Sequence, residues 1–217
     1  VTRAPAIRSR ELAVSGAFVF STPSSPADER GFTVPTLSEE TFAEALGRPV
    51  FPVAQASYSR SRRGVLRGLH YTAAPPGRPK YVSCPRGSAL DIIVDTRVGS
   101  PSFGRHDVVR FDQEEPRAVY FPVGVGHVFV ALEDDTLISY LIRGGYVPER
   151  EMALSAFDPA LGLPIPEGLE PILSERDRAA PTLAEAEAAG LLPEYAVCRA
   201  AEEEFWAFGG TRPPSRR

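Results

Sequence analysis

Between residues 50 and 142 the chain is a succession of strand-length apolar runs, and turn residues interrupt them at short intervals. The runs fall at 50–56, 80–83, 89–95, 107–111, 118–122, 127–132 and 136–142, with Gly, Pro, Ser and the pair Asp134–Asp135 between them. Repeated short strands with turn signals at this spacing predict a sandwich or a barrel. The 22 prolines and 18 glycines point the same way, away from a helical bundle. Residues 90–94 alternate imperfectly, as expected where both faces of a strand meet protein or a ligand cavity.

The flanks carry less structure. A short apolar run spans 16–20 and a Pro/Ser loop follows it. Thr36 and Glu39 have capping-box spacing and predict a short helix through about Ala45. After Pro148 the text becomes turn-rich over 157–166. Thr182 and Glu185 form a second capping box, opening a helix that Gly190 and Pro193 break and that resumes over 194–208. The whole reads as a single domain over residues 1–208, with 209–217 as a disordered tail.

Composition narrows the partners. A net charge of −4 with no basic block argues against nucleic acid. Cys84 and Cys198 are far apart in sequence and form no CxxC, which reads as reduced thiols in a cytoplasmic protein. The first residues show no apolar signal region, and every long apolar run is strand-length, so no membrane span is expected.

The candidate chemistry concentrates in one stretch. Of 24 basic residues one is a lysine, Lys80, ten positions after His70. Lysine is a compact point charge whose pKa moves on burial, whereas arginine is a permanently charged fork. The bland reading is drift in an arginine-rich chain. The functional reading is a cation that holds an oxyanion beside a proton-accepting histidine. The other histidines are His106 and His127, and each of the three is by default a packing residue. Arg67 and His70 fall on opposite faces of a regular strand and converge only if Gly68 introduces a bulge. No His-x-His pair stands near His70, so metal ligation finds little support there. Tyr140 lies in an apolar strand, and its hydroxyl needs a partner if buried. Asp177 would ordinarily be a surface loop carboxylate.

An ordered set of motifs does more. Residues 64–71, Lys80, residues 89–97 and 99–104 resemble the dTDP-4-dehydrorhamnose 3,5-epimerase family. Asp28–Glu29–Arg30, Phe121-Pro122 with Gly124, Gly126 and His127, Tyr146 with Pro148 and Glu149, Asp158-Pro159, and Leu173-Ser174 with Asp177 extend the resemblance over roughly residues 10–190. It implies a mainly β, cupin-type jelly roll with short N- and C-terminal helices that forms a homodimer and needs no cofactor or metal. It also implies a nucleotide-sugar substrate, a dTDP-4-keto-6-deoxyhexose. Its C4 ketone acidifies the hydrogens at C3 and C5, so that a proton can leave one face and return to the other. By the same resemblance His70 is the base, Asp177 its partner, Lys80 the cation at the C4 oxygen and Tyr140 the acid. Arg30, Gln55, Arg67, His127, Glu151 and Arg176 match positions that hold sugar or diphosphate, and Tyr146 matches the position that stacks on thymine.

The chain departs from the rhamnose-pathway pattern at several points. Ser57 occupies a substrate-side position where asparagine is expected. Thr72, Pro35, Gly145 and Ile165 replace glutamine, a carboxylate, tyrosine and tryptophan. Together with the extended C-terminal region these resemble epimerases of antibiotic deoxysugar pathways. The expected activity is inversion at C3, with C3/C5 double inversion as the second reading. A metal-dependent cupin oxygenase, a non-catalytic sugar-binding jelly roll and a ketone isomerase on a similar barrel are the alternatives.

Overall fold

The computed structural model describes residues 7–22 and 28–208; the expected tail at 209–217 lies outside them. The order begins β1 (Arg8–Glu11), β2 (Phe18–Ser21), α1 (Glu39–Leu46), β3 (Gln55–Ser61) and β4 (Leu66–Thr72). It continues β5 (Lys80–Arg86), β6 (Ala89–Asp95), β7 (His106–Phe111), β8 (Arg117–Phe121), β9 (Val125–Ala131) and β10 (Thr136–Ile142). A single 3-10 turn, Pro148–Arg150, leads into β11 (Glu151–Ala153), then α2 (Glu175–Arg178), α3 (Leu183–Ala188) and α4 (Tyr195–Phe208).

Two antiparallel sheets pack face to face as the expected jelly roll. One runs β1-β2-β8-β5-β10-β3 and the other β11-β4-β9-β6-β7. Their inner faces bury Val19, Val82, Ile93, Val119, Phe121, Phe129 and Ile138 against one another. The outer face of the five-stranded sheet carries Leu66, Leu69, Tyr71, Ile92 and Val128, and Leu154, Ala156, Leu161, Ala186 and Leu192 of the C-terminal half cover it. With both faces covered, β6 is apolar almost throughout, which explains its imperfect alternation.

On the other side α1 seals the six-stranded sheet. Phe42, the fully buried residue of this helix, meets Phe20 at 5.9 Å and Tyr120 at 5.2 Å between ring centroids. Truncating such an anchor to alanine costs about 3–5 kcal/mol. The helix starts two residues later than Thr36 and Glu39 suggested, with Ser38 as its cap accepting from the Thr41 N–H. The carbonyl of Thr36 instead accepts the Tyr81 hydroxyl at 2.7 Å, which ties that residue to the sheet. The run 50–56 is likewise not a strand until Gln55. Its apolarity comes from Phe51, which packs on Phe42 and Tyr120. The true edge strand β3 alternates half-buried with exposed side chains such as Tyr58, so its composition hides it.

α4 closes the end of the sandwich with Cys198, Ala201 and Phe205 against Val123, while Ala74 packs at the edge of this cluster. The guanidinium of Arg143 lies 3.6 Å from the centre of the Phe205 ring, tying the turn after β10 to this helix.

The decisive irregularity is in β4. Arg67 pairs with Phe129 of β9, but His70 pairs with His127, so three steps on one strand match two on the other. Arg67 and His70 therefore both face inward while Leu69 faces out. Gly68 makes this possible, with φ +137°, and a Cβ there would sit 2.5 Å from the His127 carbonyl oxygen. Gly68→Ala is expected to destabilise the fold by at least about 2 kcal/mol, seen as a lower urea midpoint.

Candidate active site

At one end of the sandwich the apolar filling gives way to polar side chains around a cavity of about 360 Å³. The five-stranded sheet supplies Arg67, His70 and His127, with Glu151 from its edge strand β11. The six-stranded sheet supplies Gln55, Ser57, Lys80, Tyr140 and Ile142. Arg78, Tyr146 and Arg176 complete the wall. Strand register explains the grouping. His70 is opposite His127, Tyr140 is opposite Ser57, and Lys80 is in line with Ile142 and Gln55. Residues directly opposite in antiparallel strands point to the same face.

Asp177 stands behind His70. Its carboxylate is 2.6 Å from Nε2 of the imidazole. The short helix α2 fixes that position: Ser174 caps it and accepts the Asp177 N–H at 3.1 Å. The sequence suggested a surface loop here, but the Asp177 side chain is 4% exposed, because α2 docks against β4. His127 has a parallel arrangement, with Nδ1 2.8 Å from the buried Asp91 and its ring 4.8 Å from that of Phe121.

A family model, dTDP-4-dehydrorhamnose 3,5-epimerase, matches residues 11–185. The chain belongs to this family. A dTDP-4-dehydro-6-deoxyglucose 3-epimerase of Streptomyces bikiniensis is 48% identical over 169 residues, covering 78% of this chain and 86% of the relative. A dTDP-4-dehydrorhamnose 3,5-epimerase of Mycolicibacterium smegmatis is 45% identical over 191 residues, or 88% and 93% of the two chains. The crystal structure of ChmJ, a 3'-monoepimerase from Streptomyces bikiniensis in complex with dTDP-quinovose, superposes with a TM-score of 0.85 at 43% identity. That match covers 90% of this chain and 98% of ChmJ.

The epimerase-family cavity has a definite electrostatic state. Burial pushes the His70 imidazole below its ordinary range, and the Asp177 contact only partly restores it, so the ring is neutral at pH 7. Burial alone would raise Asp177, but the contacts with His70, Ser174 and Arg176 outweigh it and keep the carboxyl low and ionised. A neutral imidazole oriented by a carboxylate is a ready proton acceptor. Burial pushes the Tyr140 phenol up to about 12, so it holds its proton. Burial also lowers the Lys80 ammonium, and the Glu151 carboxylate 3.9 Å away pulls it partly back.

Of the expected site residues two do not line the cavity, Asp177, which stands behind His70, and Arg30. Arg30 is exposed, and its guanidinium lies 2.5 Å from Asp28. Tyr146 is 59% exposed at the rim. Glu151 is not free: Arg78 holds it at 2.6 Å and the Thr72 hydroxyl at 3.3 Å. Arg176 donates to the Glu151 carbonyl at 3.1 Å.

Sequence reasoning missed Arg78 and Asp91. A carboxylate inside the apolar strand 89–95 is costly without a partner, and that cost was a usable signal for Asp91. Arg78 has no such mark among 23 arginines. Among the described residues no three His, Cys, Asp or Glu side chains converge as metal ligands, and no helix is long and apolar enough to cross a membrane.

Removing the Asp177 charge removes an interaction that favours imidazolium. In Asp177→Asn the His70 ring should therefore lose its proton at a lower pH than in the parent chain, as read by NMR titration of the histidine ring. An unchanged or higher midpoint would contradict the assigned pairing.

Proposed function

We propose that the chain epimerises a dTDP-4-keto-6-deoxyhexose at C3 without metal or cofactor. The observation that carries this reading is the division of groups between the sheets. A neutral imidazole, backed by the Asp177 carboxylate of α2, belongs to one sheet, and a protonated phenol and an ammonium belong to the sheet facing it. Inversion at carbon needs a base and an acid on opposite sides of the sugar ring.

On this reading His70 removes the C3 hydrogen as a proton through the ring nitrogen opposite Asp177. The bonding pair moves into the C3–C4 bond, and the ketone pair moves onto the C4 oxygen. Lys80 stabilises that enolate oxygen, the kind of contact whose loss costs about 10²–10³-fold in rate. Collapse of the enolate takes the Tyr140 proton onto the other face of C3, restoring the ketone. Bulk solvent then returns a proton to the phenolate and removes one from His70. General acid–base steps of this kind contribute about 10²–10⁴-fold.

Arg67 and Arg176 are assigned to the diphosphate, because a guanidinium binds two oxygens at once. Gln55, Ser57, His127 and Glu151 line the sugar site, and Tyr146 at the rim takes the thymine ring. The chain works as a cytoplasmic homodimer in an antibiotic-type deoxysugar pathway, a reading that rests on the family resemblance and on the departures at Ser57, Gly145 and Ile165. Double inversion at C3 and C5 is the second reading, because relatives of both kinds share more than two-fifths of their residues with this chain.

Incubation with dTDP-4-keto-6-deoxyglucose in heavy water separates the readings. Deuterium is expected at C3 alone. Label at both carbons would establish double inversion, and label at neither would overturn the enolate mechanism. Lys80→Arg keeps the charge but widens the donor, and exchange in that variant should fall by roughly 10²-fold. Near-parental exchange would remove Lys80 from the reaction.

A further inference from the structure

Arg78 lies in the cavity wall yet has almost no capacity left for a ligand. It is 6% exposed, and four of its five N–H groups are engaged. Nη1 donates to Glu151 Oε1 at 2.6 Å, and Nη2 to Gln55 Oε1 at 2.9 Å and to the Gly144 carbonyl at 3.4 Å. Nε donates to the Arg143 carbonyl at 3.3 Å. Its principal partner, Glu151, is the one acidic side chain among the described residues lining the cavity. The second oxygen of Glu151 accepts from Thr72 and stays 3.9 Å from Lys80 Nζ. That distance is close for charge but too long for a hydrogen bond.

The lysine therefore has a carboxylate in reach that does not capture it. We propose that Arg78 is a positioning residue that holds Glu151 off Lys80, leaving the ammonium free to donate to a substrate oxyanion. Without Arg78 the carboxylate loses its strongest partner, and the nearest cation is Lys80. Closing the 3.9 Å gap would pair the two directly. The ammonium would then face a permanent competitor for the charge that develops during reaction. The same guanidinium also joins β3 to the turn at 143–144, so a purely structural role is the rival account.

The inference rests on the assignment of Lys80 to the enolate oxygen. The test measures kcat and KM for solvent-deuterium exchange in Arg78→Met, Glu151→Gln and the double variant, with Lys80→Met alongside. If Arg78 acts through Glu151, Arg78→Met lowers kcat by about thirtyfold with little change in KM, yet by less than about threefold when Glu151 is already Gln. Equal losses in the two backgrounds, or a loss confined to KM, would overturn it. Should Arg78→Met fail to fold, Arg78→Lys retains a charge and a donor and carries the same comparison. A kcat loss that Glu151→Gln removes supports the proposal, and one that persists defeats it. Parental activity in Lys80→Met would overturn the Lys80 assignment itself, separately from the Arg78 comparison.

Discussion

A regular β-strand cannot aim residues three apart at the same space, and the cavity depends on the place where β4 breaks that rule. The extra residue at Gly68 re-phases the strand, so Arg67 joins the row of Phe129 and His70 the row of His127. The close approach of this backbone to the His127 carbonyl leaves no room for a side chain. Without the bulge, either the arginine or the imidazole would point into the outer apolar layer beneath Leu154 and Leu161. One backbone irregularity thus converts a packed sandwich into one with a polar chamber at its end.

Burying so much charge imposes a second condition. Each carboxyl group named at the site has a basic partner: Asp177 has His70, Asp91 has His127 and Glu151 has Arg78. Unpaired charges at such depth would be neutralised or expelled. The pairing also separates tasks. His70 is kept neutral by burial and oriented by its partner, Tyr140 is kept protonated, and Lys80 is left with a carboxylate nearby but not bonded. In a low-dielectric chamber these states are held before a ligand arrives, so little reorganisation is needed at the moment of proton transfer.

Much of this was legible in the sequence, for reasons that differ by residue. The central strands are runs of β-branched and aromatic residues, so their existence could be read directly. β3 could not, because an edge strand with one solvated face looks like a polar loop. The 50–54 segment looked like a strand because Phe51 belongs to the α1 cluster. The convergence of Arg67 and His70 was conditional on Gly68, and the structure supplies the condition. Asp177 was placed by family resemblance alone, since nothing local distinguishes a loop carboxylate from one that a short capped helix pushes against a strand. Arg78 was invisible because its role depends on four partners distant in sequence.

The C-terminal helix α4 begins beyond residue 185, where the family match stops. None of its described side chains lines the cavity, yet Phe205 lies under Arg143, whose carbonyl is one of the anchors of Arg78. The chain thus separates what touches a ligand from what holds the wall. Strand and loop residues line the cavity, while α4 braces the turn after β10 through Phe205. Relatives with identical lining residues and different C-terminal segments would then differ in how firmly this rim is braced, with no change in the side chains that face the cavity.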